Sequence, residues 1–134
     1  MQCPVCSTDQ SGAPGASPEC ERCGTDLGLL HYLQDLPVRL AEEGVALGAH
    51  GRLLEAVDKL QAAAALGPAE PAIRRALFAA LEAAGMDDLA WVHLDRLRRE
   101  APLPDPILEE AAARIHDRRR FRARVERMVK WFGG

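Results

Sequence analysis

The chain has 134 residues, a formal net charge of −3 and only 4% aromatic residues. At this length one ordinary domain, or a small module joined to a short repeat array, is expected. Few aromatics leave Leu, Ala and Val to fill the core, and such small side chains demand closely packed helices. No run of about 18 apolar residues occurs, so no transmembrane helix is expected. The start, Met1-Gln2-Cys3-Pro4, lacks a basic-then-apolar leader, which makes the cytoplasm the expected compartment. Lysine occurs only as Lys59 and Lys130. Arginine in its place, with abundant alanine, fits GC-rich bacterial codon usage. No Ser/His/Asp set, carboxylate pair or phosphate loop occurs, so an enzyme is not expected.

All four cysteines fall within residues 1–26, as Cys3-Pro4-Val5-Cys6 and Cys20-Glu21-Arg22-Cys23. Two C-x-x-C pairs at this separation are a zinc-site pattern. Each tight turn aims two thiolates at one ion, and two turns close a tetrahedron. The spacer, rich in Gly, Pro and Ser, has no hydrophobic periodicity. Metal binding is therefore the expected source of folding energy for this module. Disulfides would need an oxidising compartment, and a redox C-x-x-C would need a strand–helix setting. The segment resembles a zinc ribbon or a rubredoxin-like knuckle pair, shortened to a minimal hairpin. One Zn²⁺ per chain, in a closed and structural site, is the expectation, with iron as the alternative.

Residues 27–36 carry Leu27, Leu29, Leu30, Leu33 and Leu36, which include an i, i+3, i+6 spacing, behind Asp26, a candidate N-cap. A short connector helix is expected there, ending before Pro37. Its leucines are expected to dock the metal module on the helical body.

From residue 37 to 104 the chain repeats itself. Gly51 recurs as Gly85, Ala56 as Ala90, Leu60 as Leu94 and Pro68 as Pro102, each 34 positions on. That period is a known helical-repeat length. The first unit, 37–70, offers Leu40, Gly44 and Leu47, then Ala56, Leu60 and Pro68. The second, 71–104, offers Arg74, Leu77, Phe78 and Leu81, then Ala90, Leu94 and Pro102. A weaker third, 105–134, offers Leu108, Ala111, Ala112 and Ile115, then Arg124 and Met128. On these residues the run resembles the tetratricopeptide repeat family, with Glu43, Phe78, Arg74 and Arg124 departing from its pattern. The resemblance implies an all-α array of about six helices plus the connector, with prolines closing each unit. It also implies a concave face lined by Val38, Ala41, Glu42, Val45 and Ala49 of the first unit. Arg75, Ala79, Glu82 and Ala83 of the second join them. The family's clamp for a C-terminal carboxylate is missing, because Ala41, Val45 and Ala76 stand at its positions.

The C-terminal end differs in charge. Residues 1–113 carry nine more acids than bases, and residues 114–134 six more bases than acids. Two apolar stripes, Ile107/Leu108/Ala111/Ile115 and Phe121/Val125/Met128/Phe132, are out of phase. A break near residues 116–120 and two helices are expected, the last either covering the final repeat with its apolar side, or meeting an acidic partner surface such as another copy's body, or binding nucleic acid or an anionic membrane. Its polar side carries Arg118, Arg119, Arg120, Arg122, Arg124 and Arg127, with Trp131 near the end.

The resulting expectation is a protein–protein interaction adaptor or scaffold with a structural zinc site. Its partner would be a peptide or helix in the concave face, or a second copy. Two alternatives stand beside it. One is nucleic-acid binding through the ribbon and the arginine helix, which the acidic body disfavours. The other is a rubredoxin-like iron or redox sensor.

Overall fold

The computed structural model describes residues 1–10, 17–66 and 70–133. The expected helix stop at Pro68 and most of the inter-cysteine spacer lie outside the described residues. Five α-helices follow the cysteine module: α1 (Gly28–Ala49), α2 (Leu53–Leu66), α3 (Pro71–Ala83), α4 (Asp87–Glu100) and α5 (Pro106–Phe132). Among the described residues no strand forms; the cysteine module has only two isolated antiparallel bridges, Gln2 with Asp9 and Glu19 with Asp26. Each helix packs on the next, and α1 also touches α3.

The two helical hairpins are built alike. Gly51 and Gly85 adopt φ of +76° and +73°, the left-handed region that reverses the chain without a Cβ clash. The N–H of Arg52 donates to the carbonyl of Leu47 at 3.0 Å, and the N–H of Met86 to that of Leu81 at 3.0 Å. These partners stand 34 positions apart, as do the starts of α2 and α4, Leu53 and Asp87.

One core runs through α2–α5. Ala56, Leu60, Leu77, Leu81, Leu94 and Ile115 are fully or almost fully buried in it. Burial of each such leucine or isoleucine contributes about 1.5–3 kcal/mol. Small residues set the helix separation: a Cβ on Gly44 would lie 2.7 Å from Leu60 Cγ. Arg74 takes a core-facing position of α3 as a buried residue and pairs with Glu100. Its aliphatic stem covers apolar surface while the guanidinium is neutralised.

Two expected boundaries are absent. The connector does not stop before Pro37; α1 runs through it as one helix of 22 residues. A proline inside a helix removes one N–H donor and crowds one carbonyl. Here the nine residues upstream are held by a separate contact, because Leu27 and Leu30 pack against Cys3 and Cys20. Asp26 supports the helix start by accepting from the Gly28 N–H at 2.8 Å. Of the other connector leucines, Leu29 and Leu33 are exposed, and Leu36 is half-buried.

The expected break at 116–120 is also absent, and α5 is a single helix of 27 residues. Position 119, where a third Gly51/Gly85 equivalent would stand, is Arg119. Without a left-handed residue the chain has no turn, so the helix continues past its last buried residue, Ile115. Five helices result instead of six plus a connector. The stripe of Phe121, Val125, Met128 and Phe132 covers no repeat; all four are exposed.

Candidate metal centre and helical groove

The cysteine module is two copies of one turn. Cys3-Pro4-Val5-Cys6-Ser7-Thr8-Asp9 matches Cys20-Glu21-Arg22-Cys23-Gly24-Thr25-Asp26. The Cys3 N–H donates to the Thr8 carbonyl at 3.0 Å, and the Cys20 N–H to that of Thr25 at 2.8 Å. The Ser7 N–H returns to the Cys3 carbonyl at 2.9 Å, and that of Gly24 to Cys20 at 2.8 Å. Both turn residues are left-handed, Ser7 at φ +55° and Gly24 at +69°. The backbone thus aims each thiol pair the same way.

The pairs converge. All four Sγ atoms lie within 4.8 Å of one another. Cys3 and Cys23 are 3.6 Å apart at sulfur, as are Cys6 and Cys20. A tetrahedron with metal–sulfur bonds of about 2.3 Å has edges of about 3.8 Å, so the four thiols fit one ion. None is in a disulfide. With four sulfurs as ligands the site has no open position for water or substrate.

Hydroxyls support the sulfurs. Thr8 Oγ1 lies 3.4 Å from Cys6 Sγ, and Thr25 Oγ1 lies 3.1 Å from Cys23 Sγ. Against a thiolate the hydroxyl donates, stabilising the charged form. Through the Thr8 hydroxyl first and its backbone second, the Cys6 thiol is lowered to about 6. The same contacts from Thr25 lower Cys23. At Cys20 the Cys23 backbone lowers the pKa, but burial and the neighbouring thiols outweigh it and push the group up to about 11. The two threonines escape a reading confined to C-x-x-C; the repeated Cys-x-Thr-Asp was the sequence signal.

A second feature is a groove of about 480 Å³ between α1 and α3. Val38, Ala41, Glu42, Val45 and Ala49 line it from α1, and Ala72, Ile73 and Ala76 from α3. Val38 and Val45 are half-exposed. The connector leucines are not among its lining residues. Arg75, Ala79 and Glu82 do not join this groove. Arg75 pairs at 2.9 Å with Asp105, the N-cap of α5, and Glu82 takes Arg114 and Arg118 of α5 at 3.3 and 3.1 Å. Ala79 is exposed on the same helix.

The basic end divides into two sets. Arg118 and Arg122 clamp the buried Asp87, and Arg119 pairs with Asp88 at 3.0 Å and lies over the Trp91 ring. These contacts fix the first half of α5 to the start of α4. Among the described residues Arg120, Arg124 and Arg127 make no ion pair, and Trp131 meets only the edge of Phe132. Beyond Arg122 the helix stands free of the body, and every side chain from 116 to 132 is exposed. No helix among the described residues is long and apolar enough to cross a membrane. No family model, no curated protein and no solved structure matches this chain.

Proposed function

We propose that this chain is a non-enzymatic, cytoplasmic adaptor: a tetratricopeptide-like array that receives a helix or peptide in the α1–α3 groove. A structural zinc ion, one per chain, closes the N-terminal module. The observation that carries the reading is the groove itself, three helical turns of mainly small and apolar side chains, with Val38 and Val45 half-exposed. Its walls are helices held by a core, so it is preformed. The recurrence of turn hydrogen bonds at a 34-residue offset supports the repeat assignment. Zinc is favoured over iron because the closed tetrathiolate then needs only a structural role. Nucleic acid is disfavoured because Arg114, Arg118, Arg119 and Arg122 are already engaged with Glu82, Asp87 and Asp88.

Selection of displayed random peptides on the zinc-loaded chain tests this reading. Enriched peptides should be amphipathic, and Val45→Arg should abolish their binding while helicity is unchanged. Peptides that bind the variant equally well would place recognition elsewhere and sink the groove assignment.

A further inference from the structure

We infer that the occupant of the α1–α3 groove is the free end of α5 from a second copy of this chain. The inference rests on the groove being a protein-binding site and names its partner.

The two surfaces match in length. Phe121, Val125, Met128 and Phe132 stand at i, i+4, i+7 and i+11 on α5. Val38, Glu42, Val45 and Ala49 stand at the same spacing on α1. Each row covers three turns, about 16 Å along its helix. They also match in size. The stripe offers two phenylalanines, a methionine and a valine, all exposed. Half of the residues lining the groove are alanine, the complement that lets large side chains interdigitate with a facing helix.

Charge points the same way. The body through residue 113 has nine excess acids and the end six excess bases. Glu42 and Glu70 lie on the groove, and neither makes an ion pair among the described residues. Arg120, Arg124 and Arg127 on the approaching helix are likewise uncommitted. Pairing two α5 ends with each other would instead bring together two segments of the same positive charge, which opposes association.

The tail cannot serve its own groove. It is the continuation of a single unbroken helix whose first half is fixed on α4 by its core contacts and the Asp87 clamp. The groove lies one helix further back, between α1 and α3. Contact must therefore be made in trans, tail of one copy to groove of the next. Such a heterologous contact either closes into a ring or exchanged dimer, or runs on as an open chain.

The test uses the full, zinc-loaded chain in sedimentation velocity from low to high micromolar concentration. The wild type should associate, less so at high salt. Val45→Arg removes the groove and keeps the tail; Met128→Glu removes the tail and keeps the groove. Both positions are more than half exposed, at 55% and 58%, so both variants should fold. Each alone should associate at least about tenfold more weakly. An equimolar mixture should recover a one-to-one dimer, because one good tail meets one good groove. Strong self-association of Val45→Arg alone would mean tail–tail pairing and overturn the inference. A monomeric wild type would overturn it too, whether or not the tail then bound anionic phosphatidylserine vesicles or generic RNA. If that monomer still bound the selected peptides at Val45, the groove reading would stand and only the self-association would fall.

Discussion

The carboxylate of Asp87 is 99% shielded from solvent yet sits 3.0 Å from the guanidinium of Arg118, thirty-one positions along the chain. Arg122 adds a second contact at 3.3 Å, from the next turn of α5. Asp87 is also in the first turn of α4, where the helix dipole favours a negative charge. One side chain therefore caps a helix electrostatically and fixes the direction in which α5 leaves the body. Asp87→Asn should lower stability by about 2 kcal/mol, below the cost of breaking a fully buried pair because the arginines are half-exposed and regain water. Arg118→Ala should cost less, since Arg122 still serves the carboxylate. Urea unfolding of both single variants and the double would check this. Equal losses at the two positions would contradict the clamp.

Gly85 makes a cleaner test of the turn. A Cβ there would meet nothing within 4 Å, so the effect of Gly85→Ala is confined to its φ of +73°. The substitution should cost about 1–2 kcal/mol, and Gly51→Ala the same, with no change in the folded structure. Thermal melts followed by circular dichroism measure it. A neutral result at both positions would mean the left-handed turns are not what reverses the chain.

Much of this architecture was legible in the sequence where a single residue type decided the outcome. The C-x-x-C spacing brought four sulfurs together, and Gly51 and Gly85 marked the two turns. Legibility failed where an apolar pattern was asked to locate a boundary. The change of stripe phase near Arg118 suggested two helices, yet phase tells which face is buried and not whether the backbone turns. Ile115 faces the core and Phe121 faces solvent on one unbroken helix. The absence of glycine at position 119 was the better clue. Pro37 misled in the opposite way. It stands 34 positions before Pro71, which does begin a helix, but Leu27 and Leu30 tie the preceding segment to the metal module and carry the helix upstream. That tertiary contact leaves no local trace.

Gly44 and Phe78 stand 34 positions apart, at equivalent places in α1 and α3, but differ greatly in size. At Gly44 an added Cβ would fall 2.7 Å from the branch carbon of Leu60 and 3.2 Å from the Ala56 carbonyl oxygen. Alanine is the better helix former by about 1 kcal/mol, but overpacking at a close crossing costs about 1–3 kcal/mol. Gly44→Ala should therefore be net destabilising, by about 1 kcal/mol, despite its propensity. A stabilised variant in chemical denaturation would show that α1 and α2 can separate freely.

Ser7 departs from its partner turn. It holds φ of +55° where the second turn has Gly24. A non-glycine residue in this region costs about 1 kcal/mol, so Ser7→Gly should strengthen metal retention. A competition titration with a chelator should show about a three- to tenfold gain, by conversion of that energy. Gly24→Ser should weaken retention by a similar factor. Opposite signs at the two turns are the expected signature, and like signs would refute the equivalence.

Metal removal should separate the chain's two clusters. Cys3, Cys20 and Leu27 form one, with Met1, Cys6 and Leu30 around it. The core of α2–α5 forms another and shares none of those residues. The purified protein should hold one metal ion per chain by elemental analysis, colourless if zinc. Replacing Cys3 and Cys6 together by serine should abolish binding. The first 26 residues then lose their folding energy, and α1 should fray back towards Pro37, where its upstream anchor ends. Helicity should fall by about two and a half turns, because nine residues at 3.6 per turn are released. The main melting transition should move little, since the core residues keep every contact. Hydrogen exchange reads both effects at once: fast exchange over residues 28–36 with protection unchanged in α3 and α4. Collapse of protection throughout would mean that the metal module stabilises the whole array and that the two clusters are one cooperative unit.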